Sequence, residues 1–237
     1  MPGKVKTYIE GFDDRMSGGI PRNSVVLFCG EPGTMKSSLC YSILYNNALE
    51  KGLSGAYITL EQGRDSLLEH MENFGLPLAP VQEKVSIVDL GLIRKNMDKL
   101  GQETWMQIFK MYTKNLKESM GFDILVIDSL PVLEMLAELK IPRNELFHLF
   151  EWLKEMDTTI FVITEMEPGS VLYAKHGADF LSDGIIHVKM EQTDDINVQR
   201  RIRCVKMRNT PHSTNFYTLL FNEGVFEVTR VLTDSKY

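Results

Sequence analysis

Residues Ser24–Leu39 read SVVLFCGEPGTMKSSL, and the fold turns on how that stretch is read. Apolar residues from Val25 to Phe28 run toward Gly30 as a buried strand does, Glu31-Pro32-Gly33-Thr34 is turn-prone, and Lys36, Ser37 and Ser38 open a helical stretch that continues from Leu39 to Glu50. Strand, glycine-containing turn and helix follow one another as in a phosphate-binding loop. That pattern asks for Gly, four residues, Gly, Lys and then Ser or Thr. Gly30, Lys36 and Ser37 satisfy it, while Met35 stands where the second glycine belongs.

In such a loop successive backbone N–H groups converge on an anion, and the helix N-terminus adds partial positive charge. The expected nucleotide-binding residues are therefore Gly30, Glu31, Pro32, Gly33, Thr34, Met35, Lys36, Ser37 and Ser38. Lys36 reaches the β- and γ-phosphates, and the Ser37 hydroxyl ligates Mg2+. A non-glycine residue at positive φ is strained by ~1 kcal/mol. Met35 thus either avoids that conformation or alters the empty loop. The plain alternative is a tight strand-to-helix turn closed by a serine cap; the strand and helix on its two sides favour phosphate.

Working outward, the 237 residues suffice for one large α/β domain, expected to span 1–237. A net charge of −6 creates no global field that draws the chain to nucleic acid or acidic membrane. The three cysteines, Cys29, Cys40 and Cys204, have no CxxC spacing and read as buried thiols in a reducing cytosol. No apolar run approaches a membrane span, and the N-terminus lacks the apolar core of a signal peptide. The expected location is cytoplasmic.

Residues 3–20 are polar and glycine-rich. Beyond the first helix, strands are expected at Ala56–Leu60, Val85–Val88, Ile124–Ile127 and Ile160–Ile163, with helices over Asp65–Phe74, most of 92–120 and Arg143–Met156. Trp105, Ile108, Phe109, Tyr112 and Leu116 form one apolar helical stripe, and Leu146, Phe147, Leu149, Phe150 and Leu153 another. Continuous apolar strands alternating with helices indicate a parallel sheet covered on both faces. After Asp183 four strand-like runs separated by turns suggest antiparallel hairpins appended to that sheet. The fold class is α/β, a mostly parallel sheet flanked by helices with C-terminal antiparallel strands.

Ligands of open α/β sheets bind beyond the carboxyl ends of the strands. Asp128, after ILVI, stands as a Walker B aspartate does and would hold Mg2+; its bland role is a cap for the segment after Leu130. Glu61 ends the Ala56–Leu60 strand and would orient or deprotonate the water attacking the γ-phosphate. Glu61 and Lys36 are the expected catalytic pair. Thr164, which ends Ile160–Ile163 together with Glu165, either bonds near the γ-phosphate or serves a turn.

GFDDRMSGGIPRNSVVLFCGEPGTMKSSL, AYITLEQ, FDILVIDSL, RNELFHLFEWLKEMDTTIFVITE, FLSDGIIHV and VKMRNTPHS, in this order along nearly the whole chain, resemble the KaiC-like branch of the RecA superfamily. The resemblance implies a RecA-like P-loop core that binds ATP or ADP with Mg2+ between neighbouring subunits, commonly in a homohexameric ring. It also implies that Lys206 and Arg208 reach the neighbour's nucleotide, with Thr210 and His212 near it; without the resemblance, Arg200–Arg208 reads equally well as a solvated basic hairpin. The family carries two adjacent glutamates after the second strand, where this chain has Glu61 and Gln62. Clock members carry two cores in tandem, so no clock role is carried over. The expected function is a slow Mg2+-dependent ATPase whose nucleotide state controls self-association or a protein partner. The alternatives are a recombinase-like ATPase on single-stranded DNA, which the acidic balance disfavours, and a nucleotide-gated scaffold without turnover.

Overall fold

The structure, a computed structural model, describes residues 3–91 and 104–231. After β1 (Lys4–Val5), β2 (Ile9–Glu10) and β3 (Ile20–Pro21), strands and helices alternate: β4 (Val25–Gly30), α1 (Lys36–Lys51), β5 (Gly55–Thr59), α2 (Arg64–Asn73), β6 (Val85–Asp89), α3 (Trp105–Met120), β7 (Ile124–Asp128), α4 (Leu130–Ala137), α5 (Pro142–Lys154) and β8 (Thr159–Glu165). A short helix, α6 (Ala178–Leu181), leads into β9 (Gly184–Gln192), β10 (Val198–Met207), β11 (Tyr217–Asn222) and β12 (Val225–Arg230). The part of the expected 92–120 helix that falls on 92–103 lies outside the described residues.

One 10-stranded sheet, ordered β2-β12-β11-β10-β9-β4-β8-β7-β5-β6, runs through the molecule. From β9 to β6 neighbouring strands are parallel, as their unbroken apolar sequences require. From β9 to β12 they are antiparallel, and β2 closes that edge as a parallel strand. Both faces are covered. Val26, Phe28, Tyr57, Val126 and Phe161 face α1, α2 and the N-terminal segment. Val25, Leu27, Ile58, Leu125 and Val162 face α3, α4 and α5.

The sheet explains one glycine. A Cβ on Gly30 would stand 2.1 Å from the Val188 carbonyl oxygen, so β9 packs against the last residue of β4 only because that residue is glycine.

Several expectations are corrected. The polar N-terminal segment buries Val5, Ile9, Phe12, Met16 and Ile20 in the core. Tyr112 and Phe147 are 40% and 44% exposed, so each marks the rim of its stripe; Thr113, whose hydroxyl donates to the Phe109 carbonyl, takes the buried place beside Tyr112. A helix, α4, follows β7 directly, and its N-cap position is Ser129 rather than Asp128. That leaves the Asp128 carboxylate available to the site.

Candidate functional site

The loop between β4 and α1 is held from within. The Thr34 hydroxyl and the Lys36 ammonium both donate to the Glu31 carbonyl, at 2.7 and 2.9 Å. Gly33 and Met35 take left-handed conformations, with φ of 79° and 70°. Position 35 therefore requires the positive φ that the missing glycine would have supplied, and Met35 adopts it. Beyond it the backbone enters α1, whose first N–H groups face the turn.

This turn forms one wall of a cleft of about 410 Å³ lined by Pro32, Gly33, Met35, Lys36, Ser37 and Ser38, with Glu61, Asp128 and Glu165 among the residues opposite. Six of the nine expected loop residues, both metal-site residues and the expected base thus share one space. Thr34 is buried beneath the loop, and Gly30 and Glu31 form its base, where the Glu31 carboxylate accepts from the Gly169 N–H at 3.3 Å.

The charges in the cleft influence one another. Lys36 is only 6% exposed, and burial lowers its proton affinity against the opposing pull of Glu165 and Asp128. Asp128 accepts from the buried Tyr57 hydroxyl at 2.5 Å; burial raises its proton affinity, and the Tyr57 bond, the nearby Ser37 hydroxyl and the charge of Lys36 oppose the rise. Glu61 is raised too, first by partial burial and then by the charges of Glu165 and Asp128. Gln62 plays a different part: its side-chain amide donates to the Ser66 hydroxyl at 2.9 Å, and its backbone carbonyl accepts from the Thr59 hydroxyl at 2.5 Å.

Among the described residues no group of His, Cys, Asp and Glu is placed to hold a metal ion unaided. The Ser37 hydroxyl and the Asp128 carboxylate, which line the same cleft, fit Mg2+ that is held chiefly by nucleotide phosphates, because that ion takes few protein ligands.

Sequence reasoning missed four cleft residues, Ile163, Glu165, His70 and Phe74, and left Thr164 open between a phosphate contact and a turn. Alternation along β8 puts Ile163 and Glu165 on the cleft side, while Thr164, 2% exposed and paired with Cys29, points to the opposite face. His70 and Phe74 of α2 also line the cleft; the His70 ring lies 3.1 Å from the Ser38 hydroxyl and 4.5 Å from the Phe74 ring. Their helical spacing is the only signal they carry in the sequence.

Lys206 and Arg208 do not line this cleft. Lys206, near the end of β10 after a bulge at Cys204–Lys206, donates to the carbonyls of Asp179 and Ser182 at 3.0 and 2.6 Å. Arg208, just past the strand, pairs with Asp183 at 3.0 Å. Thr210 is buried, and its carbonyl lies 2.9 Å from the His212 ring nitrogen. His212 borders a larger hollow of about 860 Å³ with Arg15, Phe216 and Arg230; none of the expected catalytic residues reaches it.

A family model described as "ATPase: KaiC" matches residues 5–232. The circadian clock protein KaiC2 of Synechocystis sp. is 27% identical over 95% of this chain, but the chain spans only 40% of that relative's length. A UPF0273 protein of Pyrobaculum aerophilum is 27% identical, with 95% of this chain and 82% of that protein covered. The crystal structure of a KaiC-like protein from Pyrococcus horikoshii superposes with a TM-score of 0.82 at 27% identity, covering 97% of this chain and all of that one.

Proposed function

Because this chain belongs to the KaiC family of ATPases, we propose that it binds ATP with Mg2+ in the cleft at the head of α1 and hydrolyses it slowly. One observation carries this reading. A nearly buried lysine, held by the carbonyl of its own turn, faces Glu61, Asp128 and Glu165 across a cavity of about 410 Å³. An excess of carboxylates around one cation fits a site completed by a polyanion and a divalent ion together. The bound magnesium would neutralise charge developing on the transferred phosphoryl group.

The chain's own residues divide the remaining work. N–H groups of the 31–36 turn and the Lys36 ammonium gather the β- and γ-phosphates. Ser37 and Asp128 hold the ion, with Tyr57 fixing the Asp128 carboxylate. Glu61 orients the attacking water and accepts its proton, a task that its raised proton affinity suits. Lys206 and Arg208 act on the nucleotide of a neighbouring copy in a ring, so that nucleotide state and assembly are coupled. Residues 1–237 work as a single ATPase domain, and among the described residues no helix is long and apolar enough to cross a membrane.

The test is calorimetric ATP binding with a phosphate-release assay, alongside molar mass with and without ATP and Mg2+. Lys36→Ala is expected to weaken ATP binding by ~100-fold or more. Equal binding by Lys36→Ala and wild type refutes the assignment.

A further inference from the structure

The second strand ends in Glu61-Gln62, so this stretch supplies one carboxylate, and the Gln62 amide is engaged with Ser66. The sheet order shows where another carboxylate comes from. β4 lies between β9 and β8, and on the β8 side Gly30 and Glu165 are register partners, with the Met166 N–H donating to the Gly30 carbonyl at 3.0 Å. Asp128 and Glu61 arrive from strands two and three places away, at ~4.8 Å per strand. Glu165 is therefore the strand-end carboxylate whose backbone adjoins the phosphate loop.

Its side chain lines the cleft, and among the described residues no hydrogen bond or ion pair engages its carboxylate. After burial, its charge is the strongest influence on both Lys36 and Glu61, ahead of Asp128 in each case. Glu165 thus shares the cleft with the lysine that holds the γ-phosphate and the base that activates water, and its charge acts on both.

Resting on the ATPase reading above, we propose that Glu165 is a second catalytic carboxylate, which accepts a hydrogen bond from the attacking water and, with Glu61, holds it in line with the γ-phosphorus. In the step itself the water oxygen bonds to that phosphorus. The bond from phosphorus to the bridging oxygen breaks, leaving its electron pair on ADP. One water proton passes to Glu61, while the other stays on the new phosphate oxygen, directed at Glu165. The second carboxylate thus reaches the water from the neighbouring strand instead of from position 62.

Glu165 is exposed, so its replacement leaves the core intact. The experiment compares single-turnover ATP hydrolysis and ATP affinity in wild type, Glu165→Gln, Glu165→Ala, Glu61→Gln and the double variant Glu61→Gln/Glu165→Ala. Expected is a fall in rate of ~10- to 100-fold in both Glu165 variants with affinity changed by less than ~3-fold, and a double variant less impaired than the product of its singles. An unchanged rate overturns the inference, as does a rate that falls only in step with affinity; either result leaves Glu165 a counterion to Lys36. A wild type that binds ATP without turnover overturns the ATPase reading and this inference together. A wild type that turns over beside an equally active Glu165→Ala overturns this inference alone.

Discussion

The two halves of the sheet treat their charges in opposite ways. At the carboxyl ends of the parallel strands, Glu61 and Glu165 make no hydrogen bond or ion pair among the described residues, and Lys36 holds only a carbonyl of its own turn. On the antiparallel strands most of the cations are occupied: Arg201 with Glu191 at 3.0 Å, Arg203 with the Tyr173 hydroxyl at 2.6 Å, Lys206 with the carbonyls of Asp179 and Ser182, while the buried Arg200 Nε has no partner among the described residues. A charge already satisfied inside the fold shapes a surface, whereas one left open in a cleft carries an electrostatic cost that a ligand relieves. On this ground the proposed ligand site belongs to the parallel half, and the antiparallel half is its frame.

Arg208 is where that division is most exposed to refutation. Its side chain is 51% exposed, and its single side-chain partner among the described residues, Asp183, is shared with Lys154 at 3.2 Å. If it serves a neighbour's nucleotide, Arg208→Ala should lower turnover by ~1000-fold, as loss of a finger arginine does. ATP affinity of the isolated chain should be unchanged. Mixing Arg208→Ala with Lys36→Ala chains should then restore part of the activity, because each supplies what the other lacks. A mixture as inactive as its components would confine Arg208 to the frame.

Glu61→Gln comes next, with an expected loss of ~100-fold in phosphate release at unchanged ATP affinity. The glutamine keeps the shape but accepts no proton. Turnover equal to wild type would favour a nucleotide-gated scaffold, since an open carboxylate in the cleft would then have no chemical task.

Much of this contrast was legible in the sequence. Apolar strands ending in a glycine turn, in Glu61 and in Asp128 announce a parallel sheet with its site at the strand ends, because both features follow from local chemistry. Glu165 was not legible, since a shift of one residue along a strand moves a side chain to the other face, and FVITE alone does not say which of Thr164 and Glu165 faces α1. The N-terminal wrap hid itself for a different reason. Val5, Ile9, Phe12, Met16 and Ile20 are buried by irregular backbone broken at Gly11, Gly18 and Gly19, so neither strand nor helix periodicity marks them. Partners such as Tyr57 for Asp128, and Asp183 for Arg208, join segments far apart in the chain and leave no local signature.

The frame makes a prediction of its own at His187. This side chain is 8% exposed between Tyr173 and Phe216, and burial, with Arg203 and Lys189 adding to it, pushes its imidazole down to about 4. The ordinary value is higher, so between about pH 6.5 and 4 the unfolded chain binds the proton more readily. The stabilising contribution is complete above that window and is lost as pH falls through it, to the extent of ~2–3 kcal/mol. Denaturant unfolding from pH 7 to 4 should show this acid limb in wild type, and His187→Gln should flatten it. An equally steep limb in the variant would assign acid sensitivity elsewhere.

The smallest effect belongs to the other half, at Met35. Its φ of 70° costs a side chain of any L-residue ~1 kcal/mol, yet the methionine also packs against the core around α1. Alanine at this position keeps the strain and gives up the packing. Glycine gives up the packing and the strain, at some expense in the entropy of the unfolded chain. Met35→Gly should therefore be more stable than Met35→Ala by ~0.5–1 kcal/mol, the reverse of the order found inside a helix. Denaturant unfolding of the pair decides it. If alanine is the more stable, the left-handed turn is not the resting form of the loop, and the phosphate site must be built when nucleotide arrives instead of standing ready for it.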